Sequence, residues 1–429
     1  MTLKRHLKYL PYFLFAILLA WHSLSVAQVM RFPRPEFETD YTFPTHQLIN
    51  QRAHIWEYLD VAVLVLALSA AAWLAVKKRS RQGLIWLSLF SLAYFGFYRQ
   101  GCICSIGSIQ NVAMALFNND YAVPVTALLF FIIPLVFALL YGRVFCAGVC
   151  PLGAIQELTG FRQVNVPRKI ESVITAVPFI YLGLAVLFAA TKSQFLICRY
   201  DPFVGIFRLD APYTMIIFGA LLLIIGIVFN RPYCRYLCPY GVLLGFFSKF
   251  SARHLTITPA ECRNCTLCEP ACPYNAIMQS DPPKVIEEVK PHVKISVISY
   301  IMIGILAVSG GVLFYNLAPA LSRLNPDVKV AREIRFEKES GIPVSSDAAI
   351  AFLESGEPEE NLFIREQEII GRFRRGSPWV GIFLGLSLGI GLTGKSTRKL
   401  RTGYEPDRRI CYSCGKCFRY CPVKIKTKI

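Results

Sequence analysis

Arg143-Val-Phe-Cys146-Ala-Gly-Val-Cys150-Pro151-Leu-Gly153 recurs as Arg231-Pro-Tyr-Cys234-Arg-Tyr-Leu-Cys238-Pro239-Tyr-Gly241, with every motif position moved by 88 residues. Each copy follows an apolar run and falls where that run gives way to basic residues. A constant offset over five motif positions reads as an internal duplication. Duplication is a common way to build a membrane core around a pseudo-two-fold axis. An i, i+4 cysteine pair lies on one helical face, so two such pairs related by the axis would form a four-thiolate site. The bland alternative is that these are small core residues, because free cysteine is often buried. The arginines would either offset thiolate charge or anchor at the membrane interface.

Working outward, the 429-residue chain is 54% hydrophobic and only 17% charged, where a water-soluble protein carries about 25% charge. Apolar runs near spanning length, roughly 20 residues each, account for the difference. Spans are expected near 7–27, 59–76, 84–97, 123–140, 173–190, 215–229, 295–313 and 380–392. The first begins with Lys4, Arg5 and Lys8 and ends at Ser25-Val-Ala27. It reads as a retained anchor, with a cleaved signal peptide as the alternative. The net charge of +18 sits beside these runs, at Lys77–Arg81, Arg162–Lys169 and in the C-terminal tail. The positive-inside rule explains it better than nucleic-acid binding does.

The 15 cysteines are gathered in tight motifs, which favours metal ligation over a disulfide scaffold. Cys262-x-x-Cys265-x-x-Cys268-x-x-x-Cys272-Pro273 and Cys411-x-x-Cys414-x-x-Cys417-x-x-x-Cys421-Pro422 are bacterial ferredoxin runs. In two-cluster ferredoxins the fourth cysteine ligates the other cluster. Cys262, Cys265, Cys268 and Cys421 are therefore expected to hold one [4Fe–4S] cluster, and Cys411, Cys414, Cys417 and Cys272 a second. The C-terminal tail must then fold back onto the 262 run. By span parity both runs and both CxxxCP motifs lie on the cytoplasmic face. Cys102, Cys104 and Cys198 lie on the outer face, where they would hold a further redox centre or form a disulfide. Arg99, Arg199 and Asp201 stand beside them.

The expected architecture is all-α and polytopic, about eight spans with an internal duplication, plus a small two-[4Fe–4S] ferredoxin-like cytoplasmic module. Its parts are an anchor and outer segment (1–58), the duplicated core (59–254), the first ferredoxin half (255–294), two spans flanking an outer loop at 318–378 (295–394), and the second ferredoxin half (395–429). In the outer loop Ser346 would cap a helix ending near Gly356, and Glu359–Arg375 would form a charged one. No catalytic residues, facing haem-binding histidines, Cys-x-x-Cys-His or phosphate-binding loop are found.

The duplicated CxxxCP motifs with paired ferredoxin runs resemble the NapH/CcoG/NosR-type membrane polyferredoxins, most closely the membrane and C-terminal part of NosR/NirI. The resemblance covers nearly the whole chain from the second span onward. It implies an electron-transfer subunit of an oxidoreductase complex in the bacterial inner membrane, with both termini cytoplasmic. Electrons would pass between cytoplasmic [4Fe–4S] clusters, or the quinone pool, and a periplasmic redox protein. NosR-type proteins carry a periplasmic flavin-binding domain ahead of the membrane core. Residues 28–58 are too short for one, which implies FMN on a separate partner. An assembly or regulatory factor supplying electrons to a maturing metalloenzyme is the alternative. A redox-driven ion pump is disfavoured by the few acidic residues within the spans.

Overall fold

The computed structural model describes residues 54–101, 104–160, 171, 174–208, 212–258, 262–279, 293–341, 343, 346–393 and 403–423. The expected first span and Cys102 lie outside them. In chain order the helices are α1 (His54–Ala72), α2 (Arg81–Ser91), α3 (Ser108–Phe117), α4 (Val125–Tyr141), α5 (Val144–Gly148), α6 (Pro151–Thr159), α7 (Val177–Ala190), α8 (Leu196–Tyr200), α9 (Pro202–Arg208), α10 (Tyr213–Val228), α11 (Pro232–Tyr236) and α12 (Pro239–Lys249). After strand β1 (Ile277–Met278) come α13 (Val293–Ser322), α14 (Pro326–Ser340), α15 (Asp347–Glu354) and α16 (Glu359–Thr393), then β2 (Glu405–Pro406) and α17 (Lys416–Arg419). Both α1 and α2 continue into wide π turns, Trp73–Lys77 and Leu92–Tyr98.

Among the described residues, two helices are long and apolar enough to cross a membrane: His54–Lys77 and Val297–Ser322. The bent pair α9 and α10 makes a third if counted as one span. α3, α4 and α7 are apolar but shorter. The spanning window of α13 is only 11% buried, and Val297, Ile298, Ile301, Ile305, Val308 and Val312 all point outward. Apolar surface on that scale needs lipid or a partner to cover it.

The segment read as an outer loop at 318–378 is mostly helical. α13 runs on to Ser322, and α16 joins the charged stretch from Glu359 and the expected eighth span into one 35-residue helix. No capping residue separates the two stretches, and the helix continues through Pro378. Two local expectations match the structure. The Ser346 side chain accepts from Ala349 N at the start of α15, and Gly356 follows its end with φ +68°.

α13 and α16 pack along a glycine seam. A Cβ on Gly381 would strike the Gly310 carbonyl, and one on Gly385 the Leu306 carbonyl. Close approach of this kind is how helices associate where no hydrophobic effect drives them together. Gly381→Val is expected to push the pair apart at a cost of about 1–3 kcal/mol or more. That would appear as a lower melting temperature in detergent with unchanged iron content.

The main core gathers α1, α2, α4, α6, α12 and the ferredoxin segments around Cys146, Cys150, Cys234 and Cys238. In both copies the motif folds alike. A five-residue helix carries the first cysteine. The second cysteine sits at the N-cap of the next helix, with proline at the first helical position. Proline suits that position because its missing N–H would lack a partner there anyway. The copies differ just before it: Gly142 takes the positive φ in the first (+79°), while Arg231 itself does in the second (+53°).

Candidate metal centres

The arginines of the two motifs are exchanged. Arg231 donates to the carbonyl of Cys146, and Arg143 Nη2 donates to the Gly241 carbonyl at 3.1 Å. Each motif glycine leaves room for the other copy's arginine: a Cβ on Gly153 would stand 3.2 Å from Arg231 Nη1, and one on Gly241 would stand 3.0 Å from Arg143 Nη2. Both arginines are buried, at 5% and 1% exposure, so neither is an interface anchor. The spacing Arg-x-x-Cys-x-x-x-Cys-Pro-x-Gly thus encodes a reciprocal clamp between the copies.

Inside the clamp, Cys146, Cys150, Cys234 and Cys238 are all buried, unpaired and within electrostatic reach of one another. Gln156, which is not part of the motif, ties the set together. Its Nε2 donates to Cys234 Sγ at 3.4 Å and its Oε1 accepts from Tyr233 N at 3.0 Å. The only advance signal was its place six residues after Cys150.

The C-terminal tail folds back onto the 262 run. β1 and β2 pair antiparallel, Ile277 with Pro406 and Met278 with Glu405. Cys272, Cys411, Cys414 and Cys417 line one small cavity with Tyr274, Ala276, Ile277 and Pro406. Cys268 lies within electrostatic reach of Cys262, Cys265 and Cys421. The sulfurs are thus grouped 272/411/414/417 and 262/265/268/421. Burial pushes the Cys411 thiol up to about 12 and the Cys268 thiol up to about 11. A bound cationic centre would reverse that, because metal ligation requires the thiolate. Among the described residues, no three His, Cys, Asp or Glu side chains converge as tightly as ligands of a single ion would. Four thiols lining one cavity are the donor set of a polynuclear iron–sulfur group, whose ligands stand around its corners.

The ferredoxin pair is docked on the core by long-range contacts. Tyr412 is buried, donates from its hydroxyl to the Cys234 carbonyl at 3.0 Å, and lies under the Arg143 guanidinium at 4.2 Å. It packs on Tyr274 with ring centres 4.5 Å apart. Arg235 donates to the Pro273 carbonyl at 3.0 Å, and Arg81 donates to the Cys414 carbonyl at 2.8 Å. Glu157 on α6 gathers three cations: Arg231 at 2.9 Å, Lys416 at 3.1 Å, and Arg81. Burial opposes ionisation of the Glu157 carboxyl. Arg231, Arg81 and Lys416 outweigh it and hold the group at about 2, so it stays charged at physiological pH. Sequence reasoning missed this hub; the sole clue was an acid standing alone in a basic stretch.

Of the cysteines expected on the outer face, Cys104 is half-buried and Cys198 exposed. Cys104 shares a small cavity with Cys150, lined also by Leu64, Phe95, Phe130 and Phe145. The loop after α2 therefore turns back into the bundle, and Cys104 stands much nearer the core set than the roughly 30 Å of a hydrocarbon layer. Cys104 and Cys198 are both unpaired and meet around Gly107, where an added Cβ would stand 3.3 Å from Cys198 Sγ. The disulfide alternative is not taken up between these two. Asp201 is buried beside them and accepts from Phe203 N at 3.0 Å and from the Tyr233 hydroxyl at 3.0 Å, linking this group to the residue preceding Cys234. Arg99 pairs with buried Asp60 at 2.9 Å, whereas Arg199 rests on Gln194 and the Tyr200 ring.

Comparison with known proteins places names on this geometry. The profile of a 4Fe-4S binding domain family matches twice, at residues 123–169 and 211–258. Those matches contain the two CxxxCP motifs and not the ferredoxin runs. The chain is 30% identical over 152 residues to the protein NirI of Paracoccus denitrificans, covering 32% of this chain and 22% of the relative. It is 31% identical over 207 residues to the regulatory protein NosR of Pseudomonas aeruginosa, covering 44% and 28%. It is 28% identical over 185 residues to the putative electron transport protein YccM of Escherichia coli, covering 39% and 52%. The chain thus spans between about a fifth and a half of the length of these relatives. No solved structure matches it. With a ferredoxin-type NapH protein also among its relatives, the chain is similar to the NapH/NosR-type polyferredoxins, and these likenesses support an iron–sulfur protein of electron transport.

Proposed function

We propose that this chain carries electrons between the cytoplasmic side of a bacterial inner membrane and a redox partner on the outer side. The single observation that carries the reading is the continuity of cysteine sets. The 262/265/268/421 set adjoins the 272/411/414/417 set, Tyr412 joins the latter to Cys234, and Cys104 shares a cavity with Cys150. Bound at the cysteine sets, iron–sulfur clusters supply one-electron storage and exchange. The chain's own residues hold the ligands, exclude water and compensate charge. The two sets of the ferredoxin pair would each hold a [4Fe–4S] cluster. Cys146, Cys150, Cys234 and Cys238 would hold a third centre, favoured by the position of the two 4Fe-4S domain matches. Cys104 and Cys198, with Cys102, would form the outer terminus.

The outer partner in this reading is a periplasmic redox protein, with FMN as the carrier suited to accept electrons there, and quinone is an alternative cytoplasmic-side donor. A second reading, an electron-supplying assembly or regulatory factor, is favoured by one observation: NosR is named a regulatory protein. Deleting the gene would separate the two. A client enzyme left present but without its metal supports the assembly role. Iron content with EPR tests the number of centres. The expected result is roughly twelve irons per chain if the core set holds a third cubane, against roughly eight for the ferredoxin pair alone. Eight irons with only the ferredoxin signals would remove the core centre.

A further inference from the structure

The two sets of the ferredoxin pair differ in access. Cys272, Cys411, Cys414 and Cys417 are all buried, and Tyr412 anchors their loop to the core. In the other set Cys265 is exposed, and Cys262 and Cys421 are half-buried. The chain around those sulfurs is open as well. Leu267 is 51% and Tyr420 59% exposed, and both flank cysteines of the same set. Arg263 and Arg419 are exposed beside them. Of the described acids near this set, Glu269 accepts from Gln279 Nε2 at 2.8 and 2.9 Å, and Glu405 is exposed two residues after Gly403, which packs on Cys262. The exposed residues flanking the cysteines of this set thus include two large apolar side chains and two arginines, next to the exposed Cys265.

We propose that this face is the docking surface for a small, acidic, soluble one-electron carrier protein, and that the 262/265/268/421 set is the cytoplasmic port. The proposal rests on the electron-transfer reading above and adds where and with what chemistry it begins. Redox encounters use small interfaces, under about 1,200 Å² in total, that release quickly. Opposite charge across such an interface speeds encounter and selects the partner. Arginines alone would equally suit anionic headgroups. The exposed Cys265 among them favours a carrier, because a headgroup has no electron to exchange. The step moves one electron from reduced carrier to the oxidised centre at this set, or the reverse, with no bond broken and no atom transferred.

The test uses the full chain in nanodiscs of zwitterionic lipid, with an acidic ferredoxin as probe and a basic cytochrome c as counter-probe. Kd is measured at roughly 50 and 200 mM salt, across which charge screening strengthens. The expected result is ferredoxin binding that weakens with salt, little binding of the cytochrome, and at least about tenfold weaker ferredoxin binding in the Arg263→Glu/Arg419→Glu variant. Iron content of that variant should equal wild type. Equal binding of both probes, an unaffected variant, or a variant that loses only adsorption to anionic vesicles would overturn the proposal. If ferredoxin does not bind but the dithionite-reduced protein still delivers electrons outward, the port is wrong and the electron-transfer reading stands. If ferredoxin binds as expected and no electron emerges, the surface stands and the transfer reading fails.

Discussion

Cys146→Ser and Cys234→Ser are each expected to lower electron transfer across the membrane by at least about 100-fold while leaving the cytoplasmic EPR signals in place. The magnitude follows from metal-site chemistry: losing even an outer partner of a metal ligand costs about 10–100-fold, and a ligand should cost no less. The selectivity follows from position. Both residues sit inside the arginine clamp, buried and apart from the cavity formed by Cys272, Cys411, Cys414 and Cys417. A serine is close in size to a cysteine, so the clamp of Arg143 on Gly241 and of Arg231 on Cys146 should persist. Iron should fall by one centre and no more. Variants that keep the wild-type rate would remove the core from the route, and variants that lose all iron would make these cysteines structural.

Glu157→Ala is expected to undock the C-terminal ferredoxin half. The substitution leaves Arg231, Arg81 and Lys416 facing one another without their shared acid. Arg231 is 1% exposed. Breaking a buried pair by removing one partner costs about 3–5 kcal/mol, because the remaining charge is stranded. The loss should fall on the interface: Lys416 lies between Cys414 and Cys417, and Arg81 also holds the Cys414 carbonyl. Limited proteolysis should then cut within 403–423 in the variant and spare it in wild type. The signal of the 411/414/417/272 set should broaden or vanish before that of the other set. An unchanged cleavage pattern would show that Tyr412 and Arg235 hold the module unaided.

The parts of this molecule written in local spacing were legible in the sequence. The ferredoxin runs show themselves within twelve residues each, the CxxxCP repeats within eleven, and the Ser346 cap within four, because each is one turn or loop of chain. What was not legible depends on contacts between distant segments. Arg143 reaches a carbonyl 98 positions away, and Tyr412 reaches one 178 away. The motif arginines accordingly left charge compensation and interface anchoring both open in the sequence, and their burial and exchange go against anchoring. Hydropathy failed in two places for a similar reason. It reports burial in lipid, so it split α16 at the point where its charged half leaves the apolar environment, although the backbone continues. Span counting gives only a membrane face for Cys104 and could not show that the chain after α2 turns back toward Cys150, a second feature hydropathy does not report.

The central claim is that the cysteine sets form one route across the bilayer. Proteoliposomes with the ferredoxin module facing outward, loaded with a trapped soluble electron acceptor, test it directly. A membrane-impermeant reductant is added outside and the trapped acceptor is followed optically. The account predicts reduction of the trapped acceptor that depends on the protein and disappears in Cys146→Ser. Full reduction of the cytoplasmic centres with no change in the trapped acceptor would contradict it.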